Sequence, residues 1–149
     1  MSALPPSNGQ GTVVSVRGSV VDACFPGYLP ARFHILETNL ASEKGEERKI
    51  VIEVLSHLDD ETVRGIALTP TQGLYCGAIV TDTGRSLQVP VGKSTLGRMF
   101  NVFGKTIDRK GEVGDETELR PIYSKARSFT EQTTTSEIFV TGIKAIDLL

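Results

Sequence analysis

The chain has 149 residues, of which 39% are hydrophobic and 23% are charged, and its net charge is −2. These proportions are typical of a globular protein, and the sequence has no apolar run near the ~20 residues of a membrane helix. Residues 1–83 contain 6 Lys or Arg and 10 Asp or Glu, an acidic balance that argues against nucleic-acid binding.

The few cysteine and histidine residues predict neither a disulfide framework nor a metal site. Cys24 and Cys76 are interpreted as small, buried or half-buried side chains in a reducing compartment. His34 and His57 have no partner at ligand spacing, so they are expected to be ordinary core or surface histidines. We therefore predict no metal ligands in this sequence.

The first 83 residues predict a flexible lead followed by a small β-barrel. Residues 1–10 contain two prolines and an Asn-Gly pair, and no signal-peptide pattern, so they are expected to be poorly ordered. Apolar residues then alternate in six segments separated by turn residues, which predicts strands at 12–17, 19–25, 31–38, 48–56, 62–69 and 78–82. Residues 39–47 are predicted to be a polar hairpin tip. Gly65, inside a strand, is typical of a barrel corner or a close backbone approach. Six short strands without a helix signal predict a closed barrel over residues 11–83.

A second region is predicted to begin at Gly84. Leu87, Val89 and Val91 alternate as in a strand. Next comes a predicted helix, residues 95–103, which is ended by Gly104; its apolar face repeats at i, i+3, i+4 and i+7, at Leu96, Met99, Phe100 and Phe103. Residues 115–136 are expected to be irregular, and residues 141–149 to start a helical turn with Ile143, Ile146 and Leu149 on one face. Because no cap or polar tail follows that face, the chain is expected to be a truncated piece of a longer protein.

Two segments look like the end of a phosphate-binding loop, G-x-x-x-x-G-K-[ST]. They are residues 92–94 and residues 104–106, each a Gly-Lys pair followed by a hydroxyl residue. The pattern requires a glycine five residues before the Gly-Lys pair, but Leu87 and Met99 occupy those positions. Neither segment is therefore expected to bind nucleotide phosphate.

Three stretches together resemble the beta subunit of the F-type ATP synthase family. Residues 89–108, VPVGKSTLGRMFNVFGKTID, are similar to the opening of that family's nucleotide-binding domain. Residues 137–149, EIFVTGIKAIDLL, are similar to the lead-in to its phosphate loop, and residues 11–26, GTVVSVRGSVVDACFP, to the first hairpin of its N-terminal barrel. The three stretches stand in the family order and cover residues 11–149.

The resemblance implies a mainly β fold. It would have a six-stranded closed barrel at residues 11–83, and residues 84–149 would be the truncated start of an α/β P-loop nucleotide-binding domain. In that family, alpha and beta barrels join into the crown of a ring that couples ATP synthesis or hydrolysis to ion transport. The complex is expected at the cytoplasmic side of the cell membrane, as a peripheral assembly with central-stalk subunits.

No site residue is carried over from the family to this chain. The family's catalytic residues and its ATP, ADP and magnesium contacts would all follow residue 149, so we expect no catalytic, cofactor-binding or metal-binding residue within residues 1–149. Whether the chain is part of an enzyme depends on the rest of such a protein.

Several features favour the beta subunit over the alpha subunit, and several depart from the beta pattern. Val20, Val21 and Asp22 resemble beta, as does the Glu131–Gln132 pair. Cys76 stands where the family usually has arginine, and Arg127 stands near a customary proline. Residues 43–48 also lengthen one hairpin, as expected of a divergent relative such as the sodium-transporting variant. The alternative is a free-standing barrel that binds another protein and has no ATPase activity.

Overall fold

A computed structural model describes residues 9–41, 47–114, 117–132, 135 and 138–148. Six strands form the first half: β1 (Gln10–Arg17), β2 (Val20–Cys24), β3 (His34–Ala41), β4 (Glu47–His57), β5 (Thr62–Ala67) and β6 (Ile79–Ser86). They close into an antiparallel barrel in the order β1-β2-β5-β4-β3-β6. The predicted mainly β fold with a closed six-stranded barrel is therefore confirmed.

Alternation along the strands places one apolar set inside the barrel. On β4, the side chains of Ile50, Ile52 and Val54 are fully buried, and they pack in one core with Phe25 and Val63 from neighbouring elements. The register shifts between Val54 and Ser56, and similar shifts occur on β1 and β3. Such bulges increase the bend of a strand, which a small closed barrel requires.

Gly65 on β5 confirms the predicted close backbone approach. A Cβ at this position would lie 2.6 Å from Ile52 Cγ2 and 2.7 Å from the Glu53 carbonyl oxygen. Glycine is needed here because β4 and β5 leave no room for any side chain.

The third strand begins later than the sequence predicted. Residues 31–38 were expected to be extended, but β3 starts at His34, because Phe33 has a φ of +69° in a turn. The Phe33 N–H donates to the Val54 carbonyl at 2.7 Å, so this turn is fixed to β4.

The region after the barrel contains little regular structure. Strands β7 (Gln88–Val91) and β8 (Glu118–Pro121) pair as a two-stranded sheet, and α1 (Lys144–Asp147) is a single helical turn. Two 3-10 turns lie at Lys93–Thr95 and Phe129–Glu131. The described residues here do not show an α/β P-loop domain, and β8 lies in a segment that was predicted to be irregular.

The predicted helix at residues 95–103 is wrong. Leu96 is extended, with a ψ of 131°, and Gly97 has a φ of +68°, so the chain leaves helical geometry at the first turn. The segment is held instead by Arg98, whose Nε lies 2.6 Å from Asp108 Oδ2. The apolar spacing misled because the middle of the pattern contains a glycine and an arginine that form a different loop.

Some predictions concern residues outside the described ranges. The hairpin tip was predicted at residues 39–47, but residues 39–41 belong to β3 and Glu47 to β4, and residues 42–46 lie outside the described ranges. Residues 1–8, which make up most of the flexible lead, and Leu149, the last apolar position of the final helical turn, also lie outside them. These stay predictions.

Candidate functional site

Both phosphate-loop look-alikes are built as ordinary turns. In the first, Gly92 has a φ of +109°, and the Thr95 hydroxyl donates to its carbonyl at 2.7 Å. In the second, the Asn101 Oδ1 accepts the N–H groups of Phe103 and Lys105 at 3.0 and 2.9 Å. A phosphate loop points several backbone N–H groups at the phosphate. In the second turn, the Asn101 side chain already takes two of those N–H groups.

Within the described ranges, no group of three or more His, Cys, Asp or Glu side chains is arranged to hold a metal ion. Cys24 is half-buried and Cys76 is exposed, and neither is in a disulfide. His57 Nε2 lies 2.8 Å from the Pro30 carbonyl oxygen, a contact that ties the end of β4 to the loop before β3. The prediction that this chain has no catalytic, cofactor or metal residue stays a prediction.

A hydrogen-bonded cluster at the β3–β6 seam was missed by the sequence reasoning. The side chain of Asp82 is fully buried and accepts the Tyr28 hydroxyl at 2.6 Å. His34 Nδ1 lies 3.0 Å from the same carboxylate, and the Gly84 N–H donates to it at 2.9 Å. The hydrogen bond to the Asp82 carboxylate raises the pKa of Tyr28. Tyr28 and Asp82 are 54 residues apart in sequence, so no local spacing could have indicated the cluster.

The outer walls of the barrel differ in charge. On the β2–β5 wall, Arg64 forms two hydrogen bonds to Asp22, with Nε to Oδ1 at 2.7 Å and Nη2 to Oδ2 at 3.0 Å. On the β3–β4 wall, Lys49 Nζ lies 2.7 Å from Glu37 Oε2. These walls therefore carry paired charges facing outward.

The β1–β6 wall carries β-branched side chains instead. Thr12 and Val14 project outward from β1, and Ile79 and Thr81 project outward from β6. Thr12 pairs directly with Ile79, so Val14 lies diagonally across from the isoleucine. Val14 is 53% exposed and Ile79 is 62% exposed. We call these four residues the uncharged wall.

Exposed apolar side chains also line the last described residues. Ile138 is 96% exposed, Phe139 84% and Leu148 85%. Single exposed apolar residues are normal on proteins, but a concentration of them marks a surface that packs against something else. Among the described residues, no helix combines the length and the apolar character needed to cross a membrane.

The barrel matches a known family model, and most of the chain matches a curated relative. Residues 13–84 match the family model described as ATP synthase alpha/beta family, beta-barrel domain. Over 139 residues, the chain is 52% identical to the ATP synthase subunit beta 2 of Syntrophotalea carbinolica. That alignment covers 93% of this chain but 28% of the relative, so the chain spans less than a third of the curated relative's length.

Proposed function

Because this chain belongs to the ATP synthase alpha/beta family and matches the N-terminal portion of a beta subunit, we propose that its barrel is an assembly domain. The barrel would lie beside alpha-subunit barrels in the alternating ring of a rotary ATP synthase. Its contribution to ATP synthesis or hydrolysis, and to the ion transport coupled to it, would be to hold the ring together.

The observation that carries this proposal is the uncharged wall. Val14 and Ile79 are more than half exposed, although the neighbouring walls carry the Asp22–Arg64 and Glu37–Lys49 pairs. The cores of protein interfaces are depleted in charged residues, because burying an unpaired charge is costly. A wall of β-branched side chains without charge therefore fits contact with another barrel.

We also propose that residues 84–149 begin the nucleotide-binding domain of such a subunit. The exposed side chains of Ile138, Phe139 and Leu148 support this, because they would pack on further parts of that domain. Nucleotide and magnesium would be held by those further parts, as would the central-stalk contacts. The complex would be peripheral, on the cytoplasmic side of the membrane.

A divergent variant of the subunit, such as the sodium-transporting one, remains part of the proposal. Cys76, which replaces a customary arginine, is exposed in the loop before β6. Arg127 lies near Glu131, with Nη1 4.0 Å from Oε2, in a segment where every described side chain is exposed. Both departures are on the surface, where they alter contacts with neighbours rather than the barrel core.

The proposal is tested by the association of this chain with the alpha subunit of the same organism. We expect the two to elute together in size-exclusion chromatography, and Ile79→Lys to weaken their association at least ~10-fold, since it would bury an unpaired ammonium group. Leu58→Lys is the matched control, because Leu58 is an exposed apolar residue on the β4–β5 turn.

Circular dichroism would verify that both variants remain folded. An alpha subunit that never binds the chain, or that binds Ile79→Lys as tightly as the unchanged chain, would contradict the proposed interface. Absence of any alpha-subunit binding would favour the free-standing barrel alternative.

A further inference from the structure

We propose that Tyr123 closes a releasable latch on the outside of the barrel. The latch consists of Phe33, Glu53 and Tyr123, and it holds the β7–β8 sheet against the β3–β4 wall. This inference concerns contacts within the chain and stands independently of the proposed assembly role.

The closed latch is defined by one ring contact and one polar contact. The rings of Phe33 and Tyr123 are stacked, with centroids 4.2 Å apart and planes at 27°. The Tyr123 hydroxyl is hydrogen-bonded to the Glu53 carboxylate, and this bond raises the pKa of the tyrosine. The Arg32 guanidinium lies 5.2 Å from the centroid of the Phe33 ring. The Tyr123 side chain therefore contacts a surface of the barrel formed by Arg32, Phe33 and Glu53, which we call the socket.

The socket is fixed to β4, which is part of the barrel core. The Phe33 N–H donates to the Val54 carbonyl at 2.7 Å, and Arg32 Nε donates to the Leu55 carbonyl at 3.0 Å. Glu53 immediately precedes Val54 in the sequence, and it lies on the opposite face of β4 from the buried Ile52 and Val54. The socket therefore stays in place whether or not Tyr123 is seated.

One feature makes the closed latch unfavourable by itself, namely the environment of the Glu53 carboxylate. Glu53 is only 9% exposed, and its Oε1 has no hydrogen-bond partner in the described part of the chain. Its neighbours across the strands are Ile35 and Ile66, neither of which offers a hydrogen-bonding side chain. A buried carboxylate oxygen without a donor is costly.

Opening the latch would relieve the cost at Glu53. With Tyr123 displaced, water could reach the Glu53 carboxylate and supply the missing hydrogen bond. Little else holds the segment, because all four residues of β8 are exposed. The Ile122 N–H donates to the Leu87 carbonyl at 3.0 Å, which keeps the segment with β7 rather than with the barrel. The β7–β8 sheet would therefore move as a unit about the junction at Leu87.

Two substitutions distinguish a releasable latch from a contact that stays permanently closed, which we call a permanent clamp. Tyr123→Phe removes the hydroxyl and leaves the carboxylate without its donor, so the segment should open more often. Glu53→Gln keeps an oxygen that accepts the hydroxyl but removes the buried charge, so the segment should open less often. In a permanent clamp that depends on the charged acceptor, both substitutions would loosen the segment.

The test is hydrogen exchange of residues 118–123 in the 149-residue chain. We expect Tyr123→Phe to speed exchange about fivefold, the effect of one net hydrogen bond, and Glu53→Gln to slow it about threefold or more. Tyr75→Phe is the matched control, because Tyr75 is 61% exposed, and it should leave these rates unchanged.

Exchange of residues 50–54 should stay constant in every variant, which shows that the barrel is intact. The proposal is overturned if Tyr123→Phe leaves exchange of residues 118–123 unchanged. It is also overturned if Glu53→Gln speeds their exchange, because the carboxylate would then stabilise the closed latch instead of destabilising it.

Discussion

The barrel and the region after it contain similar apolar residues but bury them to very different degrees. In the barrel, Phe25, Ile50, Ile52, Val54 and Val80 have no exposed surface. After Val80, none of the described apolar residues is buried. The same kinds of side chain therefore make a core in one region and an exposed surface in the other.

The difference lies in which strands have neighbours. Every barrel strand pairs on both edges, since β6 returns to β1, so one face of each strand is enclosed. Within the residues that the structure describes, the β7–β8 sheet consists of two strands. Two strands alone are marginally stable, because they cannot enclose an apolar face. Folding stability should therefore reside in the barrel.

The largest effect that tests this comparison is expected from Gly65→Ala. The added methyl group would lie 2.6 Å from Ile52 Cγ2 and 2.7 Å from backbone, so β4 and β5 must separate. We expect the free energy of unfolding to fall by about 3 kcal/mol in urea denaturation. Gly114→Ala is the control, with open space around it, and should change stability by less than about 0.5 kcal/mol. Equal effects at both glycines would remove the distinction between the regions.

A smaller and local effect is expected from Gly104→Ala. Gly104 has a φ of +75°, and a Cβ there would lie 2.8 Å from Pro90 Cδ. We expect local destabilisation of about 1 kcal/mol or more, seen as faster amide exchange of residues 99–107, with barrel stability unchanged. Gly97→Ala has the same strain, with a φ of +68° but open space, and should cost less. A drop in barrel stability with Gly104→Ala would show that the two regions fold as one unit.

The pH dependence of two ion pairs separates the regions further. Arg64 lowers the pKa of Asp22 in the barrel, and Arg98 lowers the pKa of Asp108 after it. A carboxyl whose pKa is lowered on folding stabilises the fold above its unfolded pKa, about 4, and this contribution is lost as the pH falls further. Acid should therefore weaken both pairs below about pH 4.

We expect Asp22→Asn to lower barrel stability by up to about 1 kcal/mol at pH 7, and by less at pH 3. Asp108→Asn should leave the urea midpoint of the barrel unchanged at both pH values and speed exchange of residues 98–111 at pH 7. A shift of the barrel midpoint by Asp108→Asn would contradict the separation of the two regions.

The smallest expected effect concerns nucleotide. Lys93 is the first residue of a 3-10 turn, and the Lys105 N–H donates to Asn101 Oδ1. Neither Gly-Lys pair has the glycine five residues earlier that a phosphate loop requires, because Leu87 and Met99 occupy those positions. Calorimetry with ATP and magnesium should show no saturable binding tighter than about millimolar. Such binding, if lost in Lys93→Ala or Lys105→Ala, would mean that one of the two motifs is a working site.

The sequence predicted the barrel well because the alternation of apolar and polar residues along a strand also decides which side chains form the barrel core. Strand β4 reads as an alternation around Ile50, Ile52 and Val54, and those residues form the core. The glycine at position 65, inside a predicted strand, also indicated the close approach of the β4 and β5 backbones. The late start of β3 could not be read from the sequence, because the turn at Phe33 depends on tertiary contacts such as the hydrogen bond from its N–H to the Val54 carbonyl.

The second region was predicted poorly because its local signals conflict. Leu96, Met99, Phe100 and Phe103 have helical spacing, but Gly97 has a left-handed φ and Arg98 pairs with Asp108, so a loop forms. The uncharged wall and the latch could not be predicted from the spacing of neighbouring residues either. The uncharged wall depends on which strands become neighbours, and the latch joins Phe33 to Tyr123 across 90 positions.

The most direct test of this account is hydrogen exchange across the whole chain. Residues 50–54 lie on a strand paired on both edges, whereas residues 138–148 are exposed throughout the described positions. We predict that amides of residues 50–54 exchange at least ~100-fold more slowly than those of residues 138–148, as expected when only the former require global unfolding. Equal protection in the two segments would contradict the claim that the barrel is the self-contained part of this protein.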